Sequence, residues 1–149
     1  MKKANAALPD ASMDALFQKW GTAYGVDPLL IKSHATVESG LNANAVNPAD
    51  PSYGLMQVLC RHGADGACQN KFNVNGWSGM TTKKLLDPDT NIKIAAQIMS
   101  YNIRAYGMPR AVAVYNSWDQ RHAPLNGPFK NQNYVDRVLA IYEGLGGGA

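Results

Sequence analysis

The stretch HATVESGLNANAVNPADPSYGLMQV, residues 34–58, joins the end of an apolar helix pattern to a loop rich in Gly, Asn and Pro. Glu38 stands at this transition and is one of only two glutamates among 149 residues. A lone carboxyl in the last turn of a helix, beside a loop, is a candidate for proton transfer. A solvated surface glutamate fits the same position. The neighbouring residues are therefore needed to distinguish a proton-transferring carboxyl from a surface one.

The helix that carries Glu38 has recognisable ends in the sequence. Asp27 followed by Pro28 is typical of a helix start, with Asp as the cap and Pro at the first helical position. Gly40 is typical of the residue that follows a helix end. The sequence therefore predicts a helix from Pro28 to just before Gly40, with Glu38 in its last turn.

Glu38 continues the apolar face of this helix. Leu30, Ile31, His34 and Glu38 fall along one stripe, because side chains three or four residues apart are neighbours on a helix. Burial and the negative end of the helix dipole both disfavour a carboxylate. We therefore expect a raised pKa for Glu38, and we expect His34 to be a packing residue with a hydrogen-bonded ring.

Five blocks follow one another in a defined order along the chain. They are Glu38-Ser39, the loop from Asn42 to Val46, Gly54-Leu55-Met56-Gln57, Val114-Tyr115-Asn116 and Tyr134-Val135. In order and approximate spacing they resemble the soluble-type lytic transglycosylases (the SLT domain) over residues 26–142. Two positions depart from the family pattern, since Asn47 stands where many members have Ser and Val114 stands where the triplet begins with Ala.

The resemblance implies a fold and a reaction. The fold is mainly α, a single lysozyme-like, goose-type-like helical domain with a substrate cleft and a small irregular or β-like loop region. The reaction is cleavage of peptidoglycan at the β-1,4 bond between N-acetylmuramic acid and N-acetylglucosamine, leaving a 1,6-anhydromuramic end. Glu38 would act first as acid and then as base, and the N-acetyl group of the substrate would replace a second carboxylate. No cofactor and no metal is expected.

The resemblance also implies which residues contact the glycan strand. These are Ser39, Asn47, Tyr53, Gly54, Met56, Gln57, Tyr115, Asn116 and Tyr134. Tyr115 is further implied to reach the catalytic acid and orient it. Without the resemblance, Gly54 fits a simple turn and Tyr115 fits a core ring with a satisfied hydroxyl. Trp77 and Trp118 fit either sugar stacking or a cover over the core.

Periodicity predicts further helices. Apolar residues at helical spacing indicate helices over residues 11–24, from Pro88 to before Gly107, and around residues 134–142, with a short apolar run at residues 111–115. Strands are expected to be small and to lie near residues 52–60. The resulting domains are an N-terminal extension (residues 1–10), the catalytic domain (11–143) and a flexible Gly-rich tail (144–149).

Composition limits the partners. The net charge of +3 favours an anionic cell wall and falls short of a nucleic-acid footprint. No apolar run is long enough for a membrane span, and we expect a monomer. The start of the chain lacks the apolar stretch of a signal peptide, so we expect either a mature form or another delivery route. Action in the periplasm or cell wall, with a phage or exported bacterial origin, follows from the resemblance.

The two cysteines lie close together at Cys60 and Cys68, within a Gly- and Asn-rich segment. A disulfide that closes a small loop would suit an oxidising exterior, and two reduced thiols would suit the cytosol. A zinc site formed with His62 is poorly supported, because the usual closely spaced ligand pairs are missing.

Three other functions remain open at this point. A hydrolytic muramidase resembling goose-type lysozyme would use Asp50 or Asp65 to hold water. A wall-binding module would keep the fold without the reaction. A cysteine peptidase would need Cys60 with His62 or His122.

Overall fold

The computed structural model describes residues 10–148, so the predicted N-terminal extension lies outside the described residues except for Asp10. The first helix, α1, spans Asp10–Tyr24, and the second, α2, spans Pro28–Ser39. The N–H of Leu29 donates to Oδ1 of Asp27 at 2.9 Å, and Gly40 ends α2 in the left-handed conformation at φ 63°. Both predicted ends of α2 are confirmed.

A small antiparallel sheet follows α2. Its strands β1 (Val46–Asn47), β2 (Ser52–Tyr53) and β3 (Val58–Leu59) pair in the order β1-β2-β3. Val46 faces Tyr53 across the first pair, and Tyr53 faces Val58 across the second. The sheet begins earlier than the predicted strand region, because the Pro-containing turn at residues 48–51 folds β1 back onto β2.

The remaining helices include two of the three that the periodicity predicts, since the first of the three is α1. The short helix α3 spans Thr82–Leu85, α4 spans Pro88–Tyr106, α5 spans Arg110–Asn116, a 3₁₀-helix spans Trp118–His122 and α6 spans Gln132–Gly144. Asp87 caps α4 as expected, accepting from the Thr90 N–H at 3.0 Å. Neither α3 nor the 3₁₀-helix was predicted, since each is too short to show a period.

The core lies between α1, α2, α4 and α6, with α5 closing one side. α4 contributes most to it, because Ile92, Ile94, Ala95 and Ala96 are fully buried. Within the described residues, no helix is both long and apolar enough to cross a bilayer.

Cys60 and Cys68 form a disulfide, with Cα atoms 4.9 Å apart. It ties the end of β3 to the irregular segment that leads to α3. Trp77 covers the core in this segment, only 6% exposed and with its indole N–H donating to the Asn70 carbonyl at 3.0 Å. Trp118 is instead 55% exposed.

The predicted domain limits stay predictions. The last helix includes Gly144, and the N–H of Gly147 donates to the Tyr142 carbonyl at 2.8 Å. The described part of the Gly-rich tail therefore folds back on α6 as a turn.

Candidate active site

Glu38 lies in the last turn of α2 and is half-buried. Burial raises the pKa of its carboxyl from 4.5 to about 7, and the negative charge of Asp50 adds to this increase. A hydrogen bond from Tyr134 acts in the opposite direction. Removal of the carboxyl from water is the largest of these effects, so Glu38 holds its proton close to neutral pH.

Tyr134, in the first turn of α6, contacts the carboxyl directly. Its hydroxyl donates to Oε2 of Glu38 at 2.6 Å. The hydroxyl oxygen of Tyr134 also lies 2.7 Å from Nδ1 of His34. Burial and the carboxyl of Glu38 raise the pKa of Tyr134 well above its usual value. The hydroxyl therefore remains a donor throughout the range in which Glu38 titrates.

Tyr115 lies near Glu38, as the resemblance implies, but its hydroxyl bonds to the backbone rather than to the carboxyl. Its hydroxyl donates to the Met56 carbonyl at 2.7 Å, and its ring packs on His34 with centroids 4.8 Å apart. Glu38 is close enough to raise the pKa of Tyr115, after burial as the main cause. The hydrogen bond to the carboxyl comes from Tyr134, because the start of α6 packs against the C-terminal half of α2.

The side chain of Asn91 in α4 holds the loop after β2 through hydrogen bonds to its backbone. Its Oδ1 accepts from the Met56 N–H at 2.8 Å, and its Nδ2 donates to the carbonyls of Tyr53 and Leu85, both at 2.8 Å. Asn91 is fully buried. The amide thus uses both its donors and its acceptor to fix the backbone beside the candidate site.

Gly54 and Met56 both face the interior. A Cβ on Gly54 would lie 2.5 Å from Nδ2 of Asn91 and 2.5 Å from the Leu85 carbonyl oxygen. The Met56 side chain is fully buried. Direct contact of either residue with a sugar stays a prediction, and in the described structure both pack against protein.

Other residues implied to bind the glycan lie closer to the surface. Ser39 donates to the Ala35 carbonyl at 3.1 Å, and Gln57 donates to the carbonyls of Ala45 and Gly54. Asn47 in β1 is exposed. Their roles toward substrate remain predictions.

Two more of these residues contact neighbours outside the carboxyl site. Tyr53 is buried, and its hydroxyl lies 2.6 Å from Nε2 of His62. Asn116 is exposed, and its Oδ1 accepts from Nδ2 of Asn131 at 3.0 Å. Neither contact reaches Glu38 itself.

The two aspartates considered for a hydrolytic route differ in position. Asp50 lies in the turn between β1 and β2, exposed, and its charge acts on Glu38. Asp65 lies in the disulfide-closed loop, where it accepts from the Ala67 N–H at 3.2 Å. Only Asp50 therefore remains a candidate partner of Glu38.

The disulfide leaves the cysteine peptidase without its nucleophile and the zinc site without its thiolate ligands. Cys60 is buried and bonded to Cys68, so neither sulfur is a free thiolate. Among residues 10–148, no group of three or more His, Cys, Asp and Glu side chains could hold a metal ion.

Sequence reasoning did not find the tertiary partners of the site. Nothing in the sequence pattern singles out Asn91, and the contact of His34 with Tyr134 spans 100 residues. A buried Asn or His on an apolar helix face is the signal that could have indicated them, since such groups need hydrogen-bond partners.

The described fold is that of the lysozyme-like lytic transglycosylases. It matches the structure of an inactive mutant of the lytic transglycosylase Slt from Pseudomonas aeruginosa with a TM-score of 0.64, at 18% sequence identity and over 86% of this chain. The chain corresponds to 23% of the length of that larger protein.

The sequence identifies the family. Residues 15–134 match the transglycosylase SLT domain, and the chain belongs to this family. The expected fold class and the expected resemblance are both confirmed.

Proposed function

We propose that this protein is a peptidoglycan lytic transglycosylase with Glu38 as its single acid and base. The observation that carries the proposal is the half-buried carboxyl at the end of α2, whose pKa of about 7 keeps a large share of it protonated at neutral pH. A general acid needs this property. Membership of the SLT domain family supports peptidoglycan as the substrate.

The reaction has two proton transfers through one carboxyl. Glu38 gives its proton to the glycosidic oxygen while the bond from C1 of N-acetylmuramic acid to that oxygen breaks. The N-acetyl carbonyl of the same sugar stabilises the positive charge at C1. The carboxylate then removes the proton from the 6-hydroxyl as O6 bonds to C1, which closes the 1,6-anhydro ring and restores protonated Glu38. No water is consumed.

Tyr134 supports both steps by donating to Oε2 of Glu38. A donor fixed on one carboxyl oxygen orients the group and stabilises the carboxylate that forms after the first transfer. The opposing effects of burial and this hydrogen bond bring the pKa near the pH at which both giving and taking a proton are possible.

Hydrolysis is the second candidate, because Asp50 acts electrostatically on Glu38. A second carboxylate could hold a water that attacks C1 in place of the 6-hydroxyl. The products differ by one water in mass.

The deciding experiment is mass analysis of the soluble fragments released from purified sacculi. The wild type should release anhydro-ended muropeptides, and Glu38→Gln should lose at least about 100-fold of this activity because Gln has no proton to transfer. Glu143→Gln is the matched control, since it makes the same change at the other, exposed glutamate. It should keep full activity.

The alternatives give different results in the same assay. Reducing-end products from the wild type that disappear in Asp50→Asn would support the muramidase instead. Wall binding without released fragments, unchanged in Glu38→Gln, would support a binding module. Action in the periplasm or cell wall belongs to the same proposal, and the phage or bacterial origin stays a prediction.

A further inference from the structure

A chain of two hydrogen bonds connects two residues of the same helix through a third residue on another helix. Nδ1 of His34 lies 2.7 Å from the hydroxyl oxygen of Tyr134, and that hydroxyl donates to Oε2 of Glu38 at 2.6 Å. His34 and Glu38 are one turn apart on α2, so both side chains point to the start of α6.

His34 is neutral at every pH at which the enzyme would work. It is only 1% exposed, and burial lowers the pKa of its imidazole to about 3. A neutral imidazole carries one hydrogen, on either Nδ1 or Nε2. The tautomer of His34 therefore decides whether it donates to Tyr134 or accepts from it.

The carboxyl decides this tautomer. Tyr134 has a single hydroxyl hydrogen, and a carboxylate attracts it more strongly than a neutral imidazole does, because hydrogen bonds to charged acceptors are stronger. Once that hydrogen points to Oε2, two acceptors would face each other at 2.7 Å unless Nδ1 of His34 carries the hydrogen. The favourable arrangement is Nδ1–H of His34 to Tyr134, and Tyr134 O–H to Glu38.

We propose that His34 is a positioning residue whose Nδ1–H holds the Tyr134 hydroxyl on Oε2 of Glu38, so that the transferable proton is carried by Oε1. This inference rests on the proposed function, and it assigns different tasks to the two carboxyl oxygens. Oε2 is a permanent acceptor, and Oε1 accepts no hydrogen bond from residues 10–148, which leaves it for the sugar.

The surroundings hold the imidazole in this orientation. The Tyr115 ring lies against the His34 ring at 4.8 Å and 60°, and the Tyr115 hydroxyl is itself fixed on the Met56 carbonyl at 2.7 Å. The titratable and charged groups that act on Glu38 and Tyr134 are Asp50, Tyr115 and Arg137. Both tyrosines stay protonated near neutral pH, so Glu38 and Asp50 supply the negative charge at the site.

The first test is nitrogen NMR of the intact protein labelled at its three histidines. His34→Asn assigns the His34 signals by removing them. We expect the hydrogen of His34 on Nδ1, unchanged from pH 8 to pH 5, on both sides of the Glu38 titration. A hydrogen on Nε2, or a tautomer that changes as Glu38 titrates, would overturn the inference. This measurement needs no substrate, so it is independent of the proposed function.

The second test compares His34→Leu with His34→Asn in sacculus digestion. Leu removes the donor, whereas an Asn amide can place an N–H near the position of Nδ1. We expect His34→Leu to lose roughly tenfold in kcat, with KM unchanged, which is the rate equivalent of one neutral hydrogen bond. His34→Asn should recover most of this loss. Equal losses in both variants would contradict a positioning role.

Carbon NMR of the glutamate carboxyls provides a readout that a purely structural role would not change. The chain has two glutamates, and Glu38→Gln assigns the pair. In His34→Leu the Glu38 titration should move to higher pH, because Tyr134 loses its own donor and donates less strongly to the carboxylate. In His34→Asn it should stay close to the wild type. An unchanged titration in His34→Leu would refute the proposal even if the wild type released anhydro products.

Discussion

At the scale of single residues, Glu38 is subject to opposing influences. Burial and the charge of Asp50 favour its protonated form, and the hydrogen bond from Tyr134 favours the carboxylate. Burial is the largest of the three effects. The folded protein therefore holds this proton up to a higher pH than the unfolded chain does, which links the chemistry of the site to the stability of the fold.

This linkage predicts a pH-dependent stability gain in Glu38→Gln. Because the folded pKa of about 7 lies above the ordinary value of 4.5, stability is lost as pH rises from 4.5 through 7. Gln has no charge that must be buried above pH 7, so at pH 8 the variant should be more stable than the wild type by up to about 3 kcal/mol. At pH 4 the difference should vanish. Urea unfolding at both pH values measures it.

The exposed Glu143 is the control for this prediction. Glu143→Gln should change the free energy of unfolding by less than about 0.5 kcal/mol at either pH, as expected for a surface position. A gain in Glu38→Gln that is the same at pH 4 and pH 8 would mean that burial of the carboxyl is not its cause.

At the scale of elements, α4 positions the loop that follows β2. Asn91 bonds the backbone of Tyr53, Met56 and Leu85, and Gly54 lies directly against its amide. Gly54 has φ of 81°, a conformation that L side chains rarely adopt. Glycine is required here by its backbone angle and by the close approach of Asn91 and Leu85.

Gly54→Ala should therefore destabilise the protein by about 3 kcal/mol, from backbone strain together with overpacking against Asn91. Gly144→Ala is the matched control, because a Cβ there would meet nothing within 4 Å and the position is helical. It should leave stability unchanged or raise it by up to about 1 kcal/mol, because Ala favours a helix more than Gly does. Thermal or urea unfolding measures both, and similar values for the two variants would contradict the packing assigned to Gly54.

At the scale of the whole molecule, the disulfide restrains the longest irregular segment of the described chain. Cys60 and Cys68 are separated by 8 positions, and their bond closes a loop between the end of β3 and the residues before α3. The Cys60 and Cys68 N–H groups donate to the Pro51 and Met80 carbonyls and not to Glu38, so we expect the bond to affect stability more than chemistry.

Reduction should lower the free energy of unfolding by about 2.5 kcal/mol, the loop-closure value for a loop of this size. Urea unfolding with and without reductant measures this change. A Cys60→Ala, Cys68→Ala double variant has no disulfide to reduce, so its free energy of unfolding should be the same with and without reductant. Without reductant, an alkylating reagent should add no mass to the wild type and leave sacculus digestion intact. Loss of activity on alkylation would reopen the cysteine-based alternative.

The sequence by itself determined the longer helices and the place of Glu38 at the end of one of them. Asp27 with Pro28, Gly40, and Asp87 with Pro88 mark helix ends through local backbone chemistry, which depends on residues only a few positions apart. The stripe that ends in Glu38 likewise follows from helix geometry alone. These features are local, so they could be predicted without the tertiary fold.

Only the tertiary structure decided which groups meet at the carboxyl. Tyr134 reaches Glu38 from 96 residues away, and Asn91 reaches the Met56 backbone from 35 residues away. The family resemblance implied that Tyr115 reaches the acid, whereas its hydroxyl donates to the Met56 carbonyl. Which hydroxyl approaches the acid depends on how α5 and α6 pack against α2, and that packing is set by burial of many side chains together rather than by spacing along the chain.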